Sequence, residues 1–182
     1  SKQQDRILSF DKFMEIALYT NSYGYYEKSG NIFGKNGDFM TAPELGGLFG
    51  KCIYKEVKNV LQQTGGSFYE FGAGSGRFSK IILDHLDEDK LDRVPRFNII
   101  ERSRNLIKVQ KELLNGHNNV VWCEDINNFK LNGFLIANEL LDALPAKCFV
   151  KNNGLVTEYG VGTNEENLFW EFKESTMSKF NI

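Results

Sequence analysis

An aromatic run that ends in an acidic residue and alternating glycines constrains this 182-residue chain more than any other stretch. It reads Phe68-Tyr69-Glu70-Phe71-Gly72-Ala73-Gly74-Ser75-Gly76-Arg77. The apolar part suits a strand, and the segment after it suits a helix. Glycine lets the backbone turn sharply between the two and come close to a ligand. A strand, a tight glycine turn and a helix form the opening of a βα unit.

The pattern then repeats. Strand Ser67–Phe71 precedes a helix from Gly76 to Leu86, with Phe78, Ile81, Ile82 and His85 on one face. Strand Phe97–Ile100 precedes a helix from Ser103 to Leu114, with Leu106, Val109 and Leu113 inward. Strand Val120–Cys123 precedes Asp125–Phe129, and strand Phe134–Ala137 precedes a turn at Glu139–Leu144, stopped by Pro145. Short apolar strands alternating with helices predict a parallel α/β sheet, whose ligands bind at the carboxyl ends of the strands. Before it, Ser9 can cap a helix over 10–19, and a second helix is expected over 43–63. The apolar stripe of that helix is Leu45, Leu48, Phe49, Cys52, Ile53, Val57, Val60 and Leu61. After Pro145 the pattern changes to short antiparallel strands, Cys148–Val150, Leu155–Val161 and Leu168–Phe172, the first two joined by Asn152-Asn153-Gly154. The expected division is a helical cap over 1–66, an α/β core over 67–147 and an antiparallel β segment over 148–182.

Composition narrows the function classes. Hydrophobic residues make up 41% and charged residues 25%, as in an ordinary globule. The net charge of −2 offers no basic face for nucleic acid or an anionic membrane. No apolar run approaches the ~18–20 residues that cross a bilayer, and no leader is visible at the start. The three cysteines, Cys52, Cys123 and Cys148, are an odd, widely spaced set, expected to be free thiols packed in the core. With only two histidines besides, no metal-ligand spacing exists, so no metal site is expected.

The candidate site residues cluster where the strands should end. Gly72, Ala73, Gly74 and Gly76 form the turn. A dinucleotide fingerprint wants a glycine at the sixth position, where Arg77 stands, and a turn without a ligand is the other alternative. Glu70 just before the glycines suits a cation better than a pyrophosphate, which prefers a helix N-terminus without a nearby carboxylate. S-adenosyl-L-methionine (SAM) is a nucleoside with a sulfonium cation and no phosphate, so the loop points to SAM. Glu101, at the end of the second strand, can accept both ribose hydroxyls; the alternative is a surface Glu near Arg102 or Arg104. Asp125 stands where an adenine amino group would be met, with Ile126 to pack on the ring, and can equally be a helix N-cap. Asn138 follows the fourth strand, near a reactive methyl. Glu139 and Asp142, three apart, would share a face of a helical turn and could grip a cationic nucleophile, or could form a polar loop and cap. Alone, Gly37-Asp38-Phe39-Met40-Thr41-Ala42-Pro43-Glu44 reads as a loop and helix cap.

Together these segments resemble the MidA-like family of SAM-dependent methyltransferases, which includes a mitochondrial protein arginine methyltransferase that assists assembly of respiratory complex I. Phe13-Met14-Glu15-Ile16-Ala17-Leu18-Tyr19 with Tyr23-Gly24-Tyr25-Tyr26 looks like the family's opening. Gly37-Asp38-Phe39, Thr41-Ala42-Pro43-Glu44 and Phe49-Gly50 look like its N-terminal signature. Ile100-Glu101-Arg102-Ser103 and Asn138-Glu139-Leu140-Leu141-Asp142-Ala143-Leu144-Pro145 complete the set. The resemblance implies a class I, Rossmann-like methyltransferase sheet with an N-terminal helical cap. It also implies SAM as cofactor, cofactor contacts at Thr41 and Pro43, and a protein arginine as acceptor, with a respiratory-complex subunit as the candidate substrate. Family members are about twice as long and carry a later Asp-Tyr-Gly strand, so the chain looks like an N-terminal half, with stand-alone activity in question. The location implied is bacterial cytoplasm or mitochondrial matrix. A SAM-binding assembly module without chemistry and an NAD-dependent oxidoreductase are the other two readings, and oligomeric state is not legible.

Overall fold

The computed structural model describes residues 7–28, 30, 32–34, 37–91, 94–123, 130–164 and 167–173. In chain order the elements are β1 (Leu8–Ser9), α1 (Phe10–Tyr19), α2 (Ala42–Leu45), α3 (Gly47–Thr64), β2 (Ser67–Phe71), α4 (Arg77–Glu88), β3 (Phe97–Ile100), α5 (Arg104–Leu113), β4 (Val120–Cys123) and β5 (Gly133–Ala137). A 3-10 turn (Leu141–Ala143) follows, then β6 (Cys148–Asn152), β7 (Leu155–Thr163) and β8 (Leu168–Lys173). The chain divides into two compact units. One is Tyr26–Leu140, and the other joins the residues up to Tyr25 with those from Leu141 onward.

The first unit is the expected parallel sheet, in the order β4-β3-β2-β5. Its central strand β2 is covered on both faces, so it reads as a near-continuous apolar run. Phe68 is fully buried, with its ring stacked on Phe97 at 4.2 Å and on Phe134 at 5.9 Å between centroids. Removing such a side chain from water contributes about 1.5–3 kcal/mol. Helix α4 adds Phe78, Ile82, Leu83 and Leu86, with Ile81 and His85 at the flank of that stripe.

Two helices turn differently from the sequence expectation. The single helix over 43–63 is two, α2 and α3, because Gly46 adopts φ 151°, which interrupts the helical backbone. The inward stripe of α3 is Phe49, Ile53, Val57 and Leu61, an i, i+4 row. Leu45, Leu48 and Cys52 lie off that row and are exposed, so Cys52 is not a core residue. On α5 Leu106 and, one turn later, the fully buried Gln110 point inward, and Leu113 packs against the core as expected; Val109 points outward.

The second unit is antiparallel. Strand β7 pairs with β6, β8 and β1. Asn153 and Gly154, both at positive φ (49° and 81°), form the two-residue turn between β6 and β7, as in a primed hairpin turn. Tyr159 packs on Phe172 and Trp170, and Trp170 on Phe10 of α1. The expected boundaries at 66/67 and 147/148 therefore do not coincide with the compact units. Helix α1 belongs with the antiparallel sheet through β1, and α3 belongs with the parallel one.

Candidate cofactor site

The register of the parallel sheet makes the site. Ile100, Phe71 and Ala137 are direct partners on β3, β2 and β5. The first residues beyond these strands, Glu101, Gly72 and Asn138, therefore stand in one row at the carboxyl edge. The Gly72 N–H donates to Ile100 O at 2.9 Å, and the Glu101 N–H to Cys123 O at 3.1 Å, which ties the row together. Asn138 is half-buried and Glu139 exposed.

The glycine turn requires glycine on two grounds. Gly72, Gly74 and Gly76 have φ of 66°, 55° and 84°, a region L side chains rarely adopt. A Cβ on Gly74 would lie 3.2 Å from the Phe33 ring, and one on Gly76 3.2 Å from Gln110 Cγ. Ala73 is buried in the core beneath the turn. The turn is also held from outside. Glu44 of α2 accepts a hydrogen bond from Ser75 Oγ and an ion pair from Arg77 Nε at 3.2 Å. Sequence reasoning singled out Thr41 and Pro43 in this segment. Thr41 precedes α2 and makes no side-chain cap, Pro43 is buried in the first turn of α2, and Glu44 is the side chain that reaches the loop.

Two carboxylates converge on the row. Glu70 is 4% exposed and accepts from Ser79 Oγ; Glu101 is 7% exposed. Burial, together with the charge of Glu101, pushes Glu70 up to about 7 despite the Ser79 hydrogen bond. Burial raises Glu101 as well, against the Ser103 N–H and Gln110 donors that lower it. Among the described residues neither carboxylate forms an ion pair. Buried carboxylates are costly unless paired or hydrogen-bonded, so this edge is complementary to a ligand with hydroxyl donors and a positive charge. A pyrophosphate would meet repulsion here.

The Ser103 side chain caps α5 by accepting from the Leu106 N–H at 3.1 Å, and the Ser103 backbone N–H donates to Glu101 Oε1 at 3.0 Å. Tyr26 O accepts from Ser103 Oγ, and the Glu27 carboxylate accepts from the Arg104 N–H at the start of the same helix. A cavity of about 330 Å³ beside Pro43, Gly47, Lys80 and Ile81 is lined by none of Glu70, Glu101 or Asn138.

The other expectations fare differently. Asp125 and Ile126 lie outside the described residues. Glu139 and Asp142 do not share a helical face. Glu139 has φ 49°, outside the right-handed helical region, and the 3-10 turn begins only at Leu141. The boundary between the two units also falls between them. Glu44 and Gln110 are the site-shaping residues that periodicity did not find. A Glu near a helix start and a Gln on an amphipathic helix both read as surface residues until their partners are known.

Residues 48–181 match a family described as "Putative S-adenosyl-L-methionine-dependent methyltransferase". The chain is similar to the protein arginine methyltransferase NDUFAF7 homolog, mitochondrial, of Caenorhabditis elegans. Identity is 30% over 169 residues, covering 79% of this chain and 39% of the worm protein. The protein arginine methyltransferase NDUFAF7, mitochondrial, of Danio rerio is 28% identical over 189 residues, covering 88% of this chain and 44% of the fish protein. A Burkholderia thailandensis crystal structure bound to S-adenosyl-homocysteine superposes with a TM-score of 0.79 at 27% identity, covering 92% of this chain and 46% of that one. The fold is thus that of a Rossmann-like methyltransferase domain. The chain belongs to this family of SAM-dependent methyltransferases. It spans less than half the length of the curated relatives it matches.

Proposed function

We propose that this chain forms the SAM-binding part of a methyltransferase whose acceptor is an arginine side chain of a protein. The observation that carries the reading is the pair of buried carboxylates, Glu70 and Glu101, without an ion pair among the described residues, beside a left-handed glycine turn. The residues present fit the cofactor. Gly72, Ala73, Gly74 and Gly76 would admit its amino-acid tail, Glu101 would take the ribose hydroxyls, and Glu70 would favour the sulfonium charge. Asp125 and Ile126 would meet the adenine, with Thr41 and Pro43 closing the N-terminal side. When bound, SAM supplies a methyl group activated by the positive sulfur.

The chain's own task is positioning. Asn138, next in the row, would line the methyl end. Holding two reactants in line lowers a barrier by up to about 7–11 kcal/mol, and a direct displacement depends on such alignment. A guanidinium titrates above about 12, so it must be oriented and its proton accepted as the new bond forms. Glu139, exposed beside Asn138, is the first candidate for that acceptor; Asp142 is the second, acting separately because the two share no helical face. The acceptor residue follows the names of the relatives, whose own location is mitochondrial. By resemblance the substrate would be a respiratory-complex subunit, met in the mitochondrial matrix.

Calorimetry with S-adenosylhomocysteine, SAM and NADH tests the cofactor reading, with Glu101→Ala as control. Binding of the first two, lost in the variant, is expected; binding of NADH alone would overturn it. Mass spectrometry of arginine-containing candidate subunits after incubation with SAM tests the acceptor. Methylation of lysine only, or of no residue while SAM is bound, would overturn the arginine assignment.

A further inference from the structure

Gln110 is a fully buried glutamine at the centre of the site's polar network. Its Nε2 donates to Gly74 O at 2.9 Å and to Glu101 Oε2 at 3.3 Å, and its Oε1 accepts from Trp122 Nε1 at 3.0 Å. These partners fix the amide's orientation, because the flipped amide would set an oxygen against two acceptors and a nitrogen against a donor. One side chain thus joins the glycine turn, the carboxylate beyond β3 and the indole of β4. Glycine at position 76 leaves the room it needs.

The consequence lies on Glu101. An ionised carboxylate has two oxygens with about four lone-pair sites in all. Ser103 N–H occupies one site on Oε1 and Gln110 one on Oε2, and the Arg102 N–H donates to the same carboxylate. The carboxylate is therefore clamped through both oxygens, and the lone-pair capacity that remains is left to a ligand. Two parallel acceptors on a fixed plane match the two adjacent hydroxyls of a ribose and mismatch a deoxyribose. We propose that Gln110 is the positioning residue that makes the site selective for the ribose diol, acting through Glu101. The proposal rests on the cofactor reading above.

The test measures the affinity of the protein carrying this chain for S-adenosylhomocysteine and for its 2′-deoxyribose analogue, in the parent and in Gln110→Met. Methionine keeps the length and shape of glutamine and removes both polar ends. A charge-assisted hydrogen bond in a preset geometry is worth enough that the parent should discriminate between the two ligands by about tenfold or more. In Gln110→Met that ratio should fall to about twofold, because a freed Glu101 no longer presents both oxygens. In a Glu101→Ala background the same substitution should leave the ratio unchanged. Should Gln110→Met fail to fold, Gln110→Glu serves as the second variant. It keeps the acceptor for Trp122 and replaces the donor beside Glu101, and the same collapse of the ratio is expected. Equal weakening of both ligands, with the ratio kept, would mean that Gln110 supports the fold only, and would overturn the proposal while leaving the cofactor reading intact. A parent that binds neither ligand would overturn the cofactor reading itself, and the proposal with it.

Discussion

The two compact units treat polarity in opposite ways. The parallel unit buries Glu70, Ser79, Asn98, Glu101, Ser103 and Gln110, most of them at or beyond the carboxyl ends of its strands. The antiparallel unit buries only Ser9 and Glu158 among the described polar residues, with Glu158 held by Lys147 at 3.1 Å. It leaves Leu155, Leu168, Trp170 and Phe172 exposed. Buried polar groups weaken a core unless something satisfies them. Their concentration in one unit marks where the fold gives up stability for a ligand, whereas the other unit carries its apolar groups outside.

Four predictions break or sharpen this contrast. Phe68→Ala should cost about 3–5 kcal/mol in denaturant unfolding, because a fully buried ring between Phe97 and Phe134 leaves a cavity. Glu101→Ala should weaken S-adenosylhomocysteine about a hundredfold by calorimetry, the loss of two charge-assisted hydrogen bonds, while the unfolding midpoint holds or rises. An unchanged affinity would remove the ligand from this edge.

The third concerns pH. Glu70 has its folded value raised from 4.5 to about 7, so the folded state binds the extra proton. Its contribution to stability is full below about pH 4.5 and is lost as pH rises through 7, on the order of 3 kcal/mol at most. Glu101, the charge that faces it, is shifted in the same direction and adds to the slope. Glu70→Gln should flatten the decline in urea midpoint over that window. A parent without such a decline would show that the carboxylate is neutralised by other means. The smallest effect is expected in the antiparallel unit. Trp170 is 59% exposed, so Trp170→Ala should cost about 1 kcal/mol or less, mainly its ring contact with Phe10. A loss as large as that of Phe68→Ala would mean that the aromatic face is covered in the whole protein.

Much of the parallel unit was legible because its signals are local. Strands β2, β3 and β4 fall where apolar runs meet turn residues, and the glycine turn and Glu101 follow directly from them. What was missed depends on partners distant in the chain. Gln110 sits where helical periodicity allowed an inward residue, but sequence reasoning chose Val109 for its apolarity. Only the carbonyl of Gly74 and the carboxylate of Glu101 explain a buried amide there. Glu44 carries no local sign of its role, since its partners Ser75 and Arg77 lie beyond a whole helix and strand. The allegiance of α1 was invisible for the same reason: a two-residue strand leaves no periodic trace, and Leu8 finds Val161 only in three dimensions.

That last pairing sets an order of events during synthesis. Every contact within Tyr26–Leu140 is available once that continuous stretch has left the ribosome, so the parallel unit can collapse early. Strand β1 emerges before the α/β unit and its partner β7 after it, so that whole unit must pass between them. Strand β1 thus waits for its partner until the whole of Tyr26–Leu140 has been made. Until then its apolar residues are open to chaperones, which gives the antiparallel unit the slower and more aggregation-exposed half of the folding history.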